Sequence, residues 1–302
     1  MSGFPEIGHS DRIGRSAKQG DGMLTNRMTR RAALGVLGAA ALPVHGEGAL
    51  RVTRVDHVAL DVGDLDKALS FYSRLFGNEV LKDAKSPRRY LRLGPCYLAI
   101  APATSGQSPH INHFAVGIEN FNAGSAKSAL ESSGLKVRES DVGLFVTDPD
   151  GNSVQIWADR SWELLNNAAP EKHSAQEPLF HATGMHHIAV QSGDVAKSVE
   201  FYGKLFGNPI SDPPGTPALL FLAGETRLRV YPPAPGKPPK IDHFSALVQN
   251  FDAPAAVTAL KALGAKAALS KQGTLNEFFD PEGIRMQVTY PGQSYGGASK
   301  QR

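Results

Sequence analysis

Apolar and polar positions follow the same order of periods twice along the chain. Residues 52–60 alternate in the manner of a half-buried strand, and residues 65–76 then carry apolar side chains at helical spacing. Three short alternating segments follow, and a second strand, helix and three strands cover residues 112–158. The plan returns between residues 181 and 290. We therefore predict two domains, each made of two units in the order strand–helix–strand–strand–strand.

The helix after each opening strand has matching boundary residues in the two copies. Asp64 has a short polar side chain suited to capping the first helix, and Gly77-Asn78 ends it. In the second copy, Gly193-Asp194 and Gly207-Asn208 stand at the same places. Repeated boundaries of this kind indicate a duplicated fold.

Histidines recur at matched positions. His57 lies on the first strand and His113 on the fifth, and the second-copy pair, His187 and His243, has the same separation of 56 residues. A strand sends alternate side chains to opposite faces, so each histidine shares a face with its own set of neighbours. If the sheet curls, side chains from distant strands can meet inside it.

An Asp-Pro-x-Gly sequence precedes the last strand of each copy, at residues 148–151 and 280–283. With proline at the second position and glycine at the fourth, this is turn chemistry. We therefore interpret Asp148 and Asp280 as turn residues and not as catalytic ones.

The length of 302 residues suits two domains. We predict the first domain at residues 50–160, a polar linker at 161–181, the second domain at 182–292 and a disordered tail at 293–302. The proline-rich segment 232–239 cannot supply ladder donors and is predicted to be a loop.

Residues 1–49 are predicted to be a leader outside the fold. Arg30-Arg31 precedes an apolar run at residues 32–42, and small residues at 46–49 follow. This arrangement resembles a twin-arginine export signal with cleavage near residues 46–49. It implies a periplasmic or extracellular protein, and a cytoplasmic one if the leader is not a signal. The run is far shorter than a membrane span, so we expect no stable membrane insertion of the mature protein.

Composition excludes several classes. The chain has 32 Lys and Arg against 29 Asp and Glu, a net charge of +3 with no basic stripe, so no nucleic-acid partner is expected. Cys96 is the only cysteine, which excludes an intramolecular disulfide, a CxxC redox pair and a thiolate-rich zinc site. The expected partner is a small-molecule substrate or ligand, and assembly into a homodimer is left open.

The motifs, taken in order, resemble the vicinal-oxygen-chelate superfamily, which includes glyoxalase I, extradiol dioxygenases, fosfomycin-resistance transferases and bleomycin-resistance proteins. The resemblance rests on the strand histidine, the helix between Asp64 and Gly77, and the Asp-Pro turn before the last strand. It covers residues 52–290, once per domain. It implies an α+β fold in which paired βαβββ modules form a curled, U-shaped mixed sheet with flanking helices.

The resemblance also implies a metal site in each domain. Family sites take one ligand from the first strand, one from the fifth and a carboxylate from the eighth. Those positions hold His57, His113 and Gln155 in the first domain and His187, His243 and Gln287 in the second. The implied cofactor is a divalent metal, which could be Zn, Ni, Mn or Fe. The implied function is a metal-dependent enzyme of glyoxalase (lyase or isomerase) or dioxygenase type that acts on a small oxygenated molecule.

Both copies depart from the family pattern, because glutamine replaces the usual glutamate. A His-His-Gln set has no negative charge and should hold a metal less tightly than a triad with a carboxylate. Two interpretations stay open. One is a weak metal site that an anionic chelating substrate completes. The other is a metal-free small-molecule-binding protein of the bleomycin-resistance type, without catalysis, in which histidine and glutamine bond each other or a ligand.

The sequence identifies no catalytic residue. The fourth-strand position where the family has a further ligand falls at Ala99 or a neighbour in the first copy and at Arg229 or a neighbour in the second, and neither supplies a carboxylate. We find no spare glutamate on the inferred cavity face to act as a base. His110 and His186 flank the candidate ligands, and we expect no specific role for either. Tyr72 falls at helical spacing and is expected in the core.

Overall fold

The structure, a computed structural model, describes residues 48–165, 168–173, 176–211 and 218–291. Within these residues the chain forms two open, mixed β-sheets and four α-helices, with one sheet for each repeat. The predicted α+β fold class is confirmed. The predicted leader up to residue 47 and the predicted tail lie outside the described residues.

The first domain has nine strands in one sheet. Its elements in chain order are β1 (Val52–Val62), α1 (Leu65–Phe76), β2 (Val80–Asp83), β3 (Arg89–Leu93), β4 (Cys96–Pro102), β5 (His110–Ile118), α2 (Ala123–Ser132), β6 (Arg138–Ser140), β7 (Gly143–Thr147), β8 (Ser153–Ala158), a 3-10 turn (Ser161–Leu164) and β9 (Ala168–Glu171). The strands lie in the order β6-β7-β8-β5-β1-β4-β3-β2-β9. β1 is parallel to β4 and antiparallel to β5, so the two modules meet at the β1–β5 pair.

The second domain repeats this plan with eight strands. Its elements are β10 (Ala182–Gln191), α3 (Val195–Phe206), β11 (Ile210–Ser211), β12 (Leu219–Ala223), β13 (Thr226–Tyr231), β14 (Lys240–Val248), α4 (Ala253–Ala262), β15 (Lys266–Ala267), β16 (Glu277–Phe279) and β17 (Arg285–Thr289). The strands lie in the order β11-β12-β13-β10-β14-β17-β16-β15. The proline-rich segment between β13 and β14 is a loop, as predicted.

Helices α1 and α3 begin and end at the boundaries that the sequence indicates. The carboxylate of Asp64 accepts the backbone N–H of Lys67, and that of Asp194 accepts the N–H of Lys197. Gly77 ends α1 with a φ of 107°, a conformation that costs glycine little. Both helices thus have the N-cap of a duplicated unit.

Part of the predicted linker, residues 168–171, forms a strand of the first sheet. β9 pairs antiparallel with β2 and covers that edge of the sheet. Phe180, near the end of the segment, is 1% exposed. Its ring centroid lies 6.1 Å from that of Phe76 and 4.9 Å from that of Phe251, so it fills space between the two domains. One continuous hydrophobic core includes residues of both sheets.

Each Asp-Pro turn reaches the helix of the other domain. Tyr72 of α1 donates its hydroxyl hydrogen to Asp280, and Tyr202 of α3 donates to Asp148. Both carboxylates also accept backbone N–H groups within their own turns, which agrees with the turn interpretation. Each turn carboxylate therefore stabilises its own turn before the last strand and also hydrogen-bonds a helix of the other domain.

Two glycine turns bring backbone against backbone at the same boundary. A Cβ added to Gly224, whose φ is +61°, would lie 1.8 Å from the carbonyl oxygen of Thr53. A Cβ added to Gly94, whose φ is +63°, would lie 2.6 Å from the carbonyl carbon of Thr183. No side chain fits at either place, so glycine is required there for both its conformation and its size.

No helix in the described part of the chain combines the length and the apolar character needed to span a bilayer.

Candidate functional site

Strand pairing places the three first-domain candidates close together. His57 on β1 is opposite Ala115 on β5, and Ala115 is opposite Gln155 on β8. The small alanine between them leaves room for the glutamine to reach across. Oε1 of Gln155 lies 3.1 Å from Nε2 of His57 and 3.0 Å from Nε2 of His113. All three side chains are buried, with 4 to 6% of their surface exposed.

The outer nitrogen of each imidazole has a fixed partner. Nδ1 of His57 donates to Asp56 at 2.9 Å, and Nδ1 of His113 donates to Oδ1 of Asn112 at 2.7 Å. The amide of Asn112 is itself oriented, because its nitrogen donates to Asp61. With the hydrogens at Nδ1, each neutral ring presents a lone pair at Nε2.

The amide of Gln155 is oriented in the same way. Its nitrogen donates to the carbonyl oxygen of Val142, so Oε1 faces the two imidazoles. Burial lowers the pKa of His113 to about 3, and the neighbouring His57 adds to the effect, so His113 is uncharged at neutral pH. Three acceptor atoms therefore converge on one point, and such a set is suited to a cation.

The spacing of the acceptors fits a metal. Two ligand atoms that are each about 2.1 Å from a metal and lie at right angles to it are separated by about 3.0 Å. The separations from Oε1 of Gln155 to the two imidazole nitrogens, 3.1 and 3.0 Å, are close to this value. Within the described residues, no group of three His, Cys, Asp or Glu side chains forms a metal site, so the amide is needed to complete this one.

The linker covers part of this site. The ring of Tyr97 stacks on His57 with centroids 4.6 Å apart, and the ring of Trp162 lies against Tyr97 with centroids 5.8 Å apart. Ser161 donates both its backbone N–H and its hydroxyl to Asp56. The start of the 3-10 turn is thus held by the carboxylate that orients His57, and the aromatic pair shields the imidazole from water.

The second domain brings its two histidines together in a different way. Nε2 of His187 lies 3.1 Å from Nε2 of His243. Nδ1 of His243 donates to Asp242 at 2.7 Å, and Nδ1 of His187 lies 2.8 Å from Nδ1 of His186. Nε2 of His186 in turn lies 2.9 Å from a guanidinium nitrogen of Arg227. The imidazoles here are bonded to each other and not to an amide.

Charges around the second pair are mixed. Burial, with His243 beside it, holds the pKa of His187 well below its usual range. Burial raises the pKa of Asp242, but hydrogen bonds from His243 and Tyr231 outweigh it and keep this pKa below normal. Arg285 also donates to Asp242. The second site therefore combines neutral imidazoles with the ionised carboxylate of Asp242, which already accepts hydrogen bonds from Tyr231, His243 and Arg285.

Gln287, the third candidate of the second domain, does not join its histidines. It is in the same sheet row as His187, but within the described residues it hydrogen-bonds neither imidazole. Its side chain instead lines a cavity of ≈ 700 Å³ together with Glu277 and Phe279. Glu277 is opposite Gln287 on β16. The carboxylate of Glu277 is paired with Arg285, so this glutamate is not a spare base.

Sequence reasoning missed the outer partners of the histidines. Strict alternation puts the residue before a strand histidine on the opposite face, but four bulges in the strand register bring these residues back beside the rings. They are Asp56, Asn112, His186 and Asp242. His186, for which we expected no specific role, lies within hydrogen-bond distance of His187. The available signal was that a polar residue precedes every one of the four histidines.

A family model for the Glyoxalase/Bleomycin resistance protein/Dioxygenase superfamily matches residues 54–156 and 184–288, once per domain. The chain belongs to this superfamily, which confirms the resemblance drawn from the motifs.

Among curated proteins, the catechol-2,3-dioxygenase of Bacillus subtilis (strain 168) is 23% identical over 244 residues, 66% of this chain and 84% of the relative. Lactoylglutathione lyase GLX1 of Arabidopsis thaliana is 25% identical over 50% of this chain and 53% of its own length. The trivalent organoarsenical cleaving enzyme of Bacillus sp. (strain MD1) is 25% identical over 40% of this chain and 83% of its own. The relatives therefore include both dioxygenase and lyase activities.

Two solved structures share the fold over most of the described chain. The 2,3-dioxygenase LapB from Pseudomonas sp. KL28 has a TM-score of 0.57 at 14% identity, covering 84% of this chain and 98% of LapB. The Mn(II)-bound glyoxalase from Novosphingobium aromaticivorans has a TM-score of 0.59 at 18% identity, covering 80% and 82%. At these identities the likeness shows the fold alone.

Proposed function

We propose that the first domain holds a divalent metal between His57, His113 and Gln155, and that the protein is an enzyme of glyoxalase or dioxygenase type acting on a small oxygenated molecule. The observation that carries the proposal is the convergence of three buried acceptor atoms: Nε2 of His57, Nε2 of His113 and Oε1 of Gln155. The N–H groups of these three side chains donate to other partners. A bound metal would polarise adjacent oxygens of the substrate and stabilise the negative charge that develops on them.

The chain's own residues set the geometry of this site. Asp56 and Asn112 hold the two imidazoles in the tautomer that leaves Nε2 free, and the carbonyl of Val142 holds Gln155. The rings of Phe145 and His113 meet edge to face, with centroids 5.7 Å apart, and the guanidinium of Arg138 lies 4.2 Å from the centroid of the Phe145 ring. Phe145 offers an apolar surface beside the ligand trio, and the nearby positive charge of Arg138 favours a substrate that carries negative charge.

The neutral ligand set narrows the class of substrate. Two imidazoles and an amide leave the full charge of a divalent cation in a buried place, where an uncompensated charge is costly. A substrate that binds as an anion through two neighbouring oxygens, such as a catecholate or an enediolate, supplies the missing charge. The relatives named as a catechol dioxygenase and a lactoylglutathione lyase support this class of substrate.

A metal-free binding protein is the second candidate function. It is favoured by the short distances from Oε1 of Gln155 to the two imidazoles, because 3.0 and 3.1 Å are also ordinary hydrogen-bond lengths between an amide oxygen and a ring nitrogen. In that case the buried trio would be structural, and ligands would bind elsewhere on the sheets.

Metal analysis of the full chain separates the two functions. The protein is purified without added metal, and its Zn, Ni, Mn and Fe contents are measured before and after dialysis against each metal. Uptake that His57→Ala and His113→Ala abolish supports the metal-dependent enzyme. A folded wild-type chain that retains no metal under any of these conditions overturns it in favour of the binding protein.

We also propose that the protein is exported by the twin-arginine route, on the strength of the arginine pair before the apolar run at residues 32–42. Replacement of Arg30-Arg31 by two lysines should then retain the protein in the cytoplasm, as measured by cell fractionation. Unchanged export, or a wild-type protein found only in the cytoplasm, overturns this proposal.

A further inference from the structure

The hydrogen bonds around the second pair of histidines run in one direction. Arg227 can only donate, so Nε2 of His186 must accept from it at 2.9 Å. At the other end, the ionised Asp242 can only accept, so Nδ1 of His243 must carry a hydrogen. These two ends fix the hydrogens of every ring between them.

The neutral rings between these ends have a single consistent arrangement. His186 carries its hydrogen at Nδ1 and donates it to Nδ1 of His187 at 2.8 Å. His187 therefore carries its own hydrogen at Nε2 and donates it to Nε2 of His243 at 3.1 Å. The two Nε2 atoms, which face each other, share one hydrogen and cannot both offer lone pairs.

For a metal to bind between His187 and His243, the hydrogen bond from His186 to His187 would have to run in the opposite direction. The hydrogen of His187 would move to Nδ1, and His186 would then need its hydrogen at Nε2. Nε2 of His186 faces the exposed guanidinium of Arg227, so two donors would stand 2.9 Å apart. Two donors that face each other make no hydrogen bond, so the arginine and the histidine together oppose metal binding.

The first domain differs at the same bulge position. Asp56 occupies the place of His186, because each is the extra residue before the first-strand histidine. Asp56 can only accept, so it draws the hydrogen of His57 to Nδ1 and leaves Nε2 free. The chemistry of a single residue therefore sets which nitrogen of the adjacent histidine faces the site.

We infer that the residue before each first-strand histidine decides whether its domain takes a metal, with Asp56 admitting one in the first domain and His186, supported by Arg227, excluding one from the second. The inference rests on the proposed metal site of the first domain for its positive half. Asp56 and His186 are positioning residues, since they act through His57 and His187.

Metal stoichiometry of the full chain tests the inference. Titration with Co²⁺, followed by its visible absorption and by elemental analysis after dialysis, should give one metal per wild-type chain. His57→Ala should abolish binding, while His187→Ala should leave it unchanged. Two metals per chain, or one metal lost in His187→Ala and kept in His57→Ala, overturns the inference and leaves the first-domain proposal to be judged separately.

An exchange of the two residues gives the sharper test. In His186→Asp, the new carboxylate would accept from Nδ1 of His187, and the chain should bind one more metal than wild type. His186→Leu is the matched control, because it breaks the chain of hydrogen bonds without supplying an acceptor, and it should gain no metal. The converse variant, Asp56→His, should weaken first-domain binding at least tenfold.

The two proposals fail differently. A wild-type chain that binds no metal overturns the proposed function, but His186→Asp still decides the inference. Metal uptake by that variant alone supports it. A folded His186→Asp chain, confirmed by circular dichroism, that gains no metal overturns it. If Asp56→His does not fold, the comparison of His186→Asp with His186→Leu is sufficient.

Discussion

The hydroxyl of Tyr202, on α3 of the second domain, donates to the carboxylate of Asp148 in the first domain, 2.8 Å away. Tyr72 and Asp280 make the same contact in the opposite direction, at 2.9 Å. Burial, reinforced by the nearby Asp148, holds the pKa of Tyr202 well above its usual range, so the donor stays protonated. The two halves of the chain are thus joined by a symmetric pair of buried hydrogen bonds.

Tyr202→Phe should lower the free energy of unfolding by about 1–3 kcal/mol, because it leaves the buried carboxylate of Asp148 without one of its donors. Urea unfolding followed by fluorescence measures the change. Tyr90→Phe is the control, since Tyr90 donates to Asp83 in a more exposed place and should cost less. Equal losses in the two variants would contradict the importance assigned to the contact between the domains.

Gly224→Ala should destabilise the protein by roughly 3 kcal/mol or more, because the methyl group would meet the backbone of Thr53 in addition to straining a positive φ. Gly236 has a similar φ of +74°, and a Cβ there would have nothing within 4 Å. Gly236→Ala should therefore cost only about 1–2 kcal/mol for the backbone conformation. Thermal unfolding of both variants isolates the steric part, and a similar cost for both would show that the close approach is absent.

Gln155→Glu should raise metal affinity at least tenfold, since it adds the anion that the trio lacks. Competition with a chelator of known affinity measures the change. Gln287→Glu is the matched control, because Gln287 lies apart from its two histidines and the same substitution there should leave metal retention unchanged. Equal effects in both domains, or none in the first, would count against the proposed ligand set.

Acid should destabilise the protein through His186. Burial, with the charge of Arg227 beside it, lowers the pKa of His186 to about 4, whereas an unfolded histidine has a pKa near 6.5. Above the unfolded value both states are neutral and stability is unaffected. As the pH falls from 6.5 towards 4, His186 binds a proton in the unfolded state but not in the folded state. The free energy of unfolding is therefore lower at pH 5 than at pH 7 by about 2 kcal/mol.

The pH dependence is measured by urea unfolding of metal-free protein at pH 7, 6 and 5. The wild type should lose stability faster than His186→Asn over this range, so the difference between the two should shrink or reverse as the pH falls. Parallel curves would show that His186 takes up a proton in the folded state as readily as in the unfolded one.

The periodicity of the sequence was sufficient to predict the architecture. Alternation, helical spacing and the glycines after α1 and α3 each depend on local chemistry, and local chemistry is what a single sequence records. The Asp-Pro turns belong to the same class, but their contacts with Tyr72 and Tyr202 do not, since nothing near either residue in sequence specifies a partner in the other domain. The predicted leader and domain limits stay predictions.

The candidate site was predictable only in part. The faces of His57, His113 and Gln155 followed from alternation along three strands, and the structure brings these side chains together. The bulges at Asp56 and His186 could not be foreseen, because an extra residue in a strand depends on the register of its partner. Without knowledge of the bulges, the sequence gives no reason to place Asp56 or His186 beside its neighbouring histidine, so the different hydrogen-bond directions stay hidden.

The strand β9 changes where the first half of the chain could be cut. The last strand of its two modules ends at Ala158, yet the edge of β2, the cover over Tyr97 and the aromatic ring at Phe180 are all supplied by later residues. A fragment for recombinant expression that stopped near residue 160 would expose an unpaired strand edge and invite aggregation. A useful fragment has to extend through Phe180. Even then, the apolar surface that the second half of the chain now covers would be exposed to solvent.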